Sequence, residues 1–311
     1  MKTKSFPGYE MHLLAKTHGD SEELKKAQAF QRDCLMNYEV PEGMKVEDRE
    51  IESGVEGEKM AIRIFTPADV SAKAPMVLDI HGGAWVGGCM ALDYARCIAI
   101  AVRIPAIVVT VEYHLSGKKY HFPTPLLDCY KAYMWMHDNA AEIGGDGSRI
   151  GIHGSSSGGN LAAGLALYLR DKKAPTPALN VLNCPCISTN FMETPSFQQY
   201  YEYDPGVNFP DVFVEDAYLG GYDGTTPSYY AFPGNAHDLR NLGPHMVIVG
   251  EYDTLRDDGI NYALRLLRLG VPCELLSAAR VGHCYTCIPH PYTDLTHDMI
   301  AMSFRREFGM M

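Results

Sequence analysis

Apolar residues in this chain fall into short blocks that predict strands, and longer amphipathic stretches follow most of them. Eight runs are strand-like: Lys45 to Ile51, Met60 to Phe65, Met76 to Ile80, Ile107 to Val111, Arg149 to His153, Leu179 to Leu182, Met246 to Val249 and Cys273 to Leu276. Helical patterns intervene from the third run onward, at Leu126 to Asn139, Leu161 to Arg170 and Gly259 to Leu269. This alternation predicts an α/β fold with a mainly parallel sheet and helices on both of its faces.

Two segments do not follow this alternation of strands and helices. The stretch Ser21 to Gln31 predicts a helix near the N-terminus, because a serine N-cap and acidic residues precede regularly spaced apolar ones. Between Ile187 and Asn241 the chain is rich in Tyr, Phe, Pro and Gly and has no clear strand. This segment is too long for an ordinary loop. We expect a single domain over 1–311 with a cap built from about 1–43 and 188–241. The alternative for 188–241 is an irregular loop on the surface that covers no site.

Composition narrows the partners of the chain. A net charge of -11 argues against nucleic acid or an anionic membrane surface as a main partner. No apolar run has the length of a transmembrane helix, and no apolar segment follows the basic start as in a signal peptide. Nine scattered cysteines favour reduced thiols in a cytoplasm over a disulfide framework. We expect a cytoplasmic protein with neither metal nor cofactor, although Cys184 to Cys186 and His283 to Cys287 offer ligand types.

A serine lies where a strand-like run meets a helical one. Ser156 is the central residue of Gly-x-Ser-x-Gly, with Gly154 and Gly158 two positions to either side. A strand, a tight turn and a helix around such a serine form a nucleophile elbow, in which small residues tolerate the strained turn. The amide of Ser157, at the N-terminus of the helix, would then face a developing oxyanion.

A serine hydroxyl needs a base and an acid that orients the base. Asp253 follows the strand-like run Met246 to Val249 and is the predicted acid. Glu251, Asp257 and Asp258 are its competitors, the latter two being close enough to the next helix to cap it.

The predicted base is His283, which follows the last strand-like run and is preceded by a glycine that lets the loop approach Ser156. The alternatives are His290 and His297, of which His297 lies in a predicted C-terminal helix.

Two successive glycines follow the strand-like run Met76 to Ile80. The backbone amides of Gly82 and Gly83, together with that of Ser157, would form a three-donor oxyanion hole. A plain Gly-Gly turn between a strand and a helix is the other interpretation.

Together these motifs resemble those of the hormone-sensitive-lipase-like esterases, a branch of the α/β-hydrolase fold. The resemblance covers about residues 45 to 300. It is carried by His81 to Trp85, Gly154 to Asn160, Tyr113 to Leu115, His121 to Asp128, Gly250 to Gly259 and Gly282-His283. It implies an eight-stranded, mostly parallel sheet, a helical cap from the N-terminus and from an insertion after strand 6, and cofactor-free hydrolysis of short- to medium-chain acyl esters.

The chain departs from the family pattern at several positions. The family usually has Asp and Ala where Ser155 and Ser157 stand, and a third glycine where Ala84 stands. After the histidine it commonly shows Gly-Phe, whereas this chain has Cys284 followed by a tyrosine. Tyrosines within Tyr200 to Tyr203 either line a substrate pocket or form the core of the cap.

These observations predict a serine carboxylesterase that acts on a small-molecule ester. Amide hydrolysis by the same residues is the alternative, because the chemistry is shared. A ligand-binding protein on a hydrolase fold is disfavoured by the presence of His283 with all its partners. An exposed edge strand or an apolar cap face would support a homodimer.

Overall fold

In the computed structural model, residues 38–201, 218–220, 224 and 228–311 are described. The predicted helix Ser21 to Gln31 and parts of both cap segments lie outside these residues. The eight strands are β1 (Lys45–Glu52), β2 (Lys59–Thr66), β3 (Ala74–Ile80), β4 (Ile107–Val111), β5 (Gly145–Ser155), β6 (Asn180–Asn183), β7 (His245–Gly250) and β8 (Cys273–Ala278). The principal helices of the described residues are α1 (Tyr94–Arg103), α2 (Thr124–Asp138), α3 (Ser157–Asp171), α4 (Pro195–Tyr200), α5 (Arg256–Arg268) and α6 (Pro291–Glu307).

All eight strands join one sheet in the order β1-β2-β4-β3-β5-β6-β7-β8. The pairs β1–β2 and β2–β4 are antiparallel and the other pairs are parallel. The predicted α/β class and the mostly parallel sheet are therefore confirmed. Because the strands from β3 onward point the same way, their carboxyl ends meet at one edge, where ligand sites of such sheets form.

Helices cover both faces of this sheet. Leu78 and Ile80 of β3 face a core shared with α2, α3 and α5, while Val77 of the same strand faces a second core shared with α1 and α6. The strands β3 and β4 are buried throughout, which explains their nearly continuous apolar sequences.

A buried ionic group lies next to the last residues of β3. Asp79 accepts a hydrogen bond from His153 of β5 (Nδ1 to Oδ1, 2.9 Å) and contacts Arg96 of α1 at 3.3 Å. Arg96 also contacts Asp93 at 2.5 Å, and all these side chains are almost fully buried. Arg96 compensates the carboxylate of Asp79, which would otherwise be costly to bury, whereas burial raises the pKa of Asp93 well above its usual range. The group ties β3, β5 and α1 together just before the chain enters the loop of His81.

The segment between β6 and β7 contains, among its described residues, α4 and three single-turn helices at Phe191–Glu193, Ser228–Tyr230 and Pro233–Asn235. Its role as a cap stays a prediction. Among the described residues, none of the helices has both the length and the apolar character needed to cross a membrane.

Candidate active site

Ser156 is the single residue between the end of β5 and the start of α3. Its backbone has φ 57° and ψ -121°, a conformation that side-chain-bearing residues rarely adopt. Its amide donates to the carbonyl of Asn183 at 2.8 Å, which fixes the turn against the end of β6. The strain is therefore held by neighbouring strands, as expected for a serine that must project from the sheet.

The two glycines of the motif are required by steric contacts. A Cβ on Gly154 would overlap the carbonyl of Gly158, because the turn folds back on itself. A Cβ on Gly158 would lie 2.5 Å from the carbonyl oxygen of His81 and would overlap that of Ile80. These contacts hold the start of α3 directly against the end of β3.

We expect Gly158→Ala to lower the free energy of unfolding by about 1–3 kcal/mol, because the added methyl must push backbone apart. Urea denaturation followed by circular dichroism would measure the change. Gly117→Ala is a matched control, since its Cβ would meet no atom within 4 Å. Equal stability of the two variants would show that the turn relaxes without cost.

His283 lies between Ser156 and Asp253. Its Nε2 is 3.0 Å from Ser156 Oγ, and its Nδ1 is 3.0 Å and 3.1 Å from the two carboxylate oxygens of Asp253. Asp253 is fully buried and also accepts the amide of Leu255 at 2.8 Å. An Asp253 carboxylate keeps the proton of the imidazole on Nδ1, which leaves Nε2 free to accept the serine proton.

The loops that carry Asp253 and His283 are joined by backbone contacts. The amide of Tyr252 donates to the carbonyl of Val281 at 2.9 Å, and that of Glu251 donates to the carbonyl of Ala278 at 2.8 Å. Because β7 and β8 are parallel neighbours, their following loops start side by side. This pairing brings together an acid and a base that are 30 positions apart in the sequence.

The competing acids have other partners. Glu251 accepts the amide of Arg280 at 2.7 Å. Asp257 accepts the amide of Ser196, and Asp258 accepts that of Ile187 at 2.6 Å. The two aspartates hold the segment after β6 against α5, so their observed contacts differ from the helix capping that the sequence suggested.

The competing histidines lie at the start of α6 and within it. His290 accepts the amide of Tyr292 at the start of α6. His297 lies within α6, as the sequence predicted, and burial lowers its pKa to about 3.

The predicted oxyanion loop packs against the elbow. A Cβ on Gly82 would lie 3.2 Å from Ser156 Cβ, so its backbone runs directly beside the serine. Gly83 has φ +126°, and a Cβ there would overlap the carbonyl of Gly87. Ala84 has φ 53°, in the left-handed region that favours glycine, which explains why the family usually has a third glycine at this position. The roles of the Gly82, Gly83 and Ser157 amides stay a prediction.

The family-like segments around this loop act as its supports. The Tyr113 ring stacks on His81 at 4.2 Å, and its hydroxyl donates to the His81 carbonyl. Trp85 donates from Nε1 to Asn160 Oδ1 at 3.2 Å and stacks on Tyr218 at 4.3 Å. These contacts connect the loop to α3 and to the segment after β6.

Two side-chain groups near the site were not predicted from the sequence. Asn183 donates from Nδ2 to Ser155 Oγ at 3.0 Å and to Thr286 Oγ1 at 2.7 Å, linking the elbow to the loop after His283. Cys184 lies beside Cys284, with 3.3 Å between the two sulfurs. An ordinary polar residue and a cysteine after a strand carry no local signal for either contact.

The described tyrosines of the Tyr200–Tyr203 stretch lie near α4 and the acid loop. Tyr200 packs on Tyr252, with ring centroids 5.8 Å apart, and Tyr201 packs on Phe197 at 5.0 Å. Tyr203 lies outside the described residues.

A parallel sheet with a strained serine, a histidine and a buried aspartate at its carboxyl edge is the arrangement of an α/β hydrolase. A family model described as alpha/beta hydrolase fold matches residues 77–287, so the chain belongs to this family. Within it, the chain is a member of the hormone-sensitive-lipase-like branch.

Curated relatives and solved structures agree with this placement. An arylesterase of Saccharolobus solfataricus is 32% identical over 262 residues, covering 83% of each chain. The carboxylesterase NlhH of Mycobacterium tuberculosis is 35% identical over 250 residues, covering 78% of this chain and 76% of its own. A bacterial heroin esterase superposes with a TM-score of 0.81 at 30% identity, covering 91% of this chain and 90% of that one.

Proposed function

We propose that the chain is a serine carboxylesterase that hydrolyses short- to medium-chain acyl esters through an acyl-enzyme. The observation that carries the proposal is the continuous hydrogen-bonded series Ser156 Oγ, His283 and Asp253, with distances of 3.0 to 3.1 Å. Relatives named arylesterase and carboxylesterase support ester hydrolysis as the reaction class.

In the first half-reaction, His283 Nε2 takes the proton of Ser156 as Oγ attacks the ester carbonyl. Asp253 stabilises the imidazolium that forms. The amides of Gly82, Gly83 and Ser157 donate to the oxyanion, each contributing about 3 kcal/mol to transition-state stabilisation. His283 then returns the proton to the departing alcohol.

In the second half-reaction, His283 takes a proton from water, which attacks the acyl-serine through an equivalent tetrahedral intermediate. Collapse of the intermediate returns the proton to Ser156 and releases the acid. These steps require water and the side chains and backbone amides of this chain.

Initial rates with 4-nitrophenyl esters of increasing acyl length, alongside the matched 4-nitroanilides, test this function. We expect kcat/KM to be highest for short to medium acyl chains and much lower for each anilide. A higher kcat/KM for the anilide than for its ester would show that the enzyme is an amide hydrolase rather than an esterase. Absence of turnover, with no labelling of folded protein by an organophosphate, would favour a ligand-binding role.

The pH dependence should reflect the surroundings of His283. Burial by itself lowers the pKa of this imidazole, but negative charge on the sulfurs of Cys184 and Cys284 and on the Asp253 carboxylate outweighs burial and holds the pKa well above its usual range. A protonated His283 cannot accept the serine proton, so kcat/KM should rise with pH and reach its plateau above the ordinary histidine range of about 6.5.

Measurement of kcat/KM over about pH 5 to 10 would locate the acid limb of the profile, the pH range in which activity rises as His283 loses its proton. In Cys184→Ser this acid limb should move to lower pH, because one of the groups that stabilise the imidazolium is lost. A limb at or below the ordinary histidine pKa in the parent would contradict the prediction.

A further inference from the structure

Two cysteine thiols lie next to the imidazole of His283. The ligand atoms of Cys184, His283 and Cys284 all lie within 4.8 Å of one another. The two sulfurs are 3.3 Å apart, although the cysteines are 100 positions apart in the sequence. A disulfide bond is about 2.05 Å long, so the sulfurs need to approach by only about 1.3 Å to bond.

The two cysteines differ in their attachment to the fold. Cys184 directly follows β6, is 2% exposed, and donates its amide to Ile248 of β7 at 2.7 Å. Cys284 is half-buried and lies in the loop after β8, directly after His283. Closing the gap between the sulfurs will therefore displace the loop of Cys284 more than the strand end of Cys184.

The surroundings divide the chemical roles of the two thiols. Burial by itself raises the pKa of Cys184, but its contact with Cys284 and the charge of His283 outweigh burial and lower that pKa to about 7. The same contact raises the pKa of Cys284 to about 11. Since the thiolate is the reactive form, these surroundings favour Cys184 as the first site of oxidation and Cys284 as the resolving thiol.

A metal ion fits this cluster less well than a disulfide. Both ring nitrogens of His283 are already used, Nδ1 by Asp253 and Nε2 by Ser156. Without the histidine, the cluster retains two thiols, with Cys287 in contact with Cys284 as a further sulfur, whereas zinc is usually held by four ligands at a structural site. Oxidation of the pair needs no bond of His283 to break beforehand.

We propose that Cys184 and Cys284 form an oxidation site at which a peroxide converts the two thiols into a disulfide and thereby suppresses ester hydrolysis. The suppression rests on the proposed function, because it acts through His283. A shift of about 1 Å in a catalytic group can cost about 100-fold in rate, and Cys284 is bonded directly to the residue whose Nε2 must stay near Ser156 Oγ. We expect a loss of activity of about that size, reversible by a dithiol reductant.

The reaction balances with hydrogen peroxide as the oxidant. The Cys184 thiolate attacks the O–O bond, becomes a sulfenic acid and releases hydroxide. The Cys284 sulfur then attacks the sulfenic sulfur, forms the S–S bond and expels a second hydroxide. The two thiol protons convert both hydroxides to water, while the sulfurs lose two electrons and the peroxide gains two.

The test treats the full chain with graded hydrogen peroxide in the presence of a chelator, quenches with catalase, and follows two readouts. Mass spectrometry of the digest without reductant should show a Cys184–Cys284 linked peptide, and the rate with 4-nitrophenyl acetate should fall as that peptide accumulates. Dithiothreitol should remove the linkage and restore the rate. Because the linked peptide is measured without substrate, it reports on the cysteine pair even if the chain hydrolyses no ester.

Matched variants separate this pair from other thiols. Cys184→Ser should retain its own starting rate after peroxide, and Cys284→Ser should form no linked peptide at Cys184. Cys89→Ser and Cys273→Ser, at half-buried cysteines elsewhere, should lose activity as the parent does. Absence of the linked peptide in the parent, or equal peroxide sensitivity of Cys184→Ser, would overturn the proposal. So would inhibition of the reduced parent by zinc chloride that EDTA reverses, if no linkage forms under peroxide.

Discussion

Ser156→Ala should reduce kcat for ester hydrolysis by about four to six orders of magnitude, the largest effect of any substitution considered in this chain. The physical reason is the loss of the atom that forms the acyl-enzyme, while the amides that face the oxyanion are retained. Steady-state hydrolysis of 4-nitrophenyl acetate measures the loss. Mass spectrometry after treatment with an organophosphate should show a single adduct on the parent and none on the variant.

The neighbouring serines provide controls for this experiment. Ser155 is buried and its hydroxyl accepts a hydrogen bond from Asn183, while the predicted contribution of Ser157 comes from its backbone amide. We therefore expect Ser155→Ala and Ser157→Ala to retain activity within about tenfold of the parent, since a neutral hydrogen bond contributes about 1 kcal/mol. Parental activity in Ser156→Ala, or a greater loss in either control, would assign the nucleophile elsewhere.

Asp253→Asn should lower kcat by about 10⁴-fold with little change in KM. An asparagine can donate its amide hydrogens to Nδ1, which favours the wrong tautomer of His283 and leaves Nε2 protonated. The imidazole then cannot take the serine proton, although its position is nearly unchanged. The comparison requires kcat and KM for one aryl ester, together with a thermal unfolding curve to establish that the buried amide is accommodated.

Glu251→Gln is the matched control for the acid. In the parent, Glu251 lies two positions before Asp253, but its carboxylate accepts a hydrogen bond from the amide of Arg280. We expect a loss of activity of less than about tenfold, because an amide oxygen can still accept that hydrogen bond. A larger loss in Glu251→Gln than in Asp253→Asn would transfer the role of the acid to Glu251.

The strands of the sheet were all predicted from the sequence, and their bounds differ mainly at β5, which begins at Gly145 rather than near Arg149. The helix α1 was not predicted. Its buried face contains Arg96, a charged residue that interrupts the apolar pattern and that pairs with Asp93, three positions earlier, and with Asp79 of β3. The contact with Asp79 spans 17 positions, so the local sequence pattern gives no sign of it.

The predicted site residues were selected by their position after strands, and the structure brings Ser156, Asp253 and His283 within hydrogen-bonding distance. The contact between Cys184 and Cys284 is not predicted by the sequence, because the two cysteines are 100 positions apart and each follows a different strand.

The succession of strands and helices, the elbow around Ser156 and the glycine loop before it can be inferred from the sequence, because they depend on local periodicity and on backbone space. Which distant side chains meet depends on how the strands are arranged in the folded chain. His283 reaches Ser156 across 127 positions because parallel strands deliver their following loops to the same edge of the sheet. The same convergence places Cys184 against Cys284, and the order of the strands in the sheet, which the sequence pattern leaves open, decides both contacts.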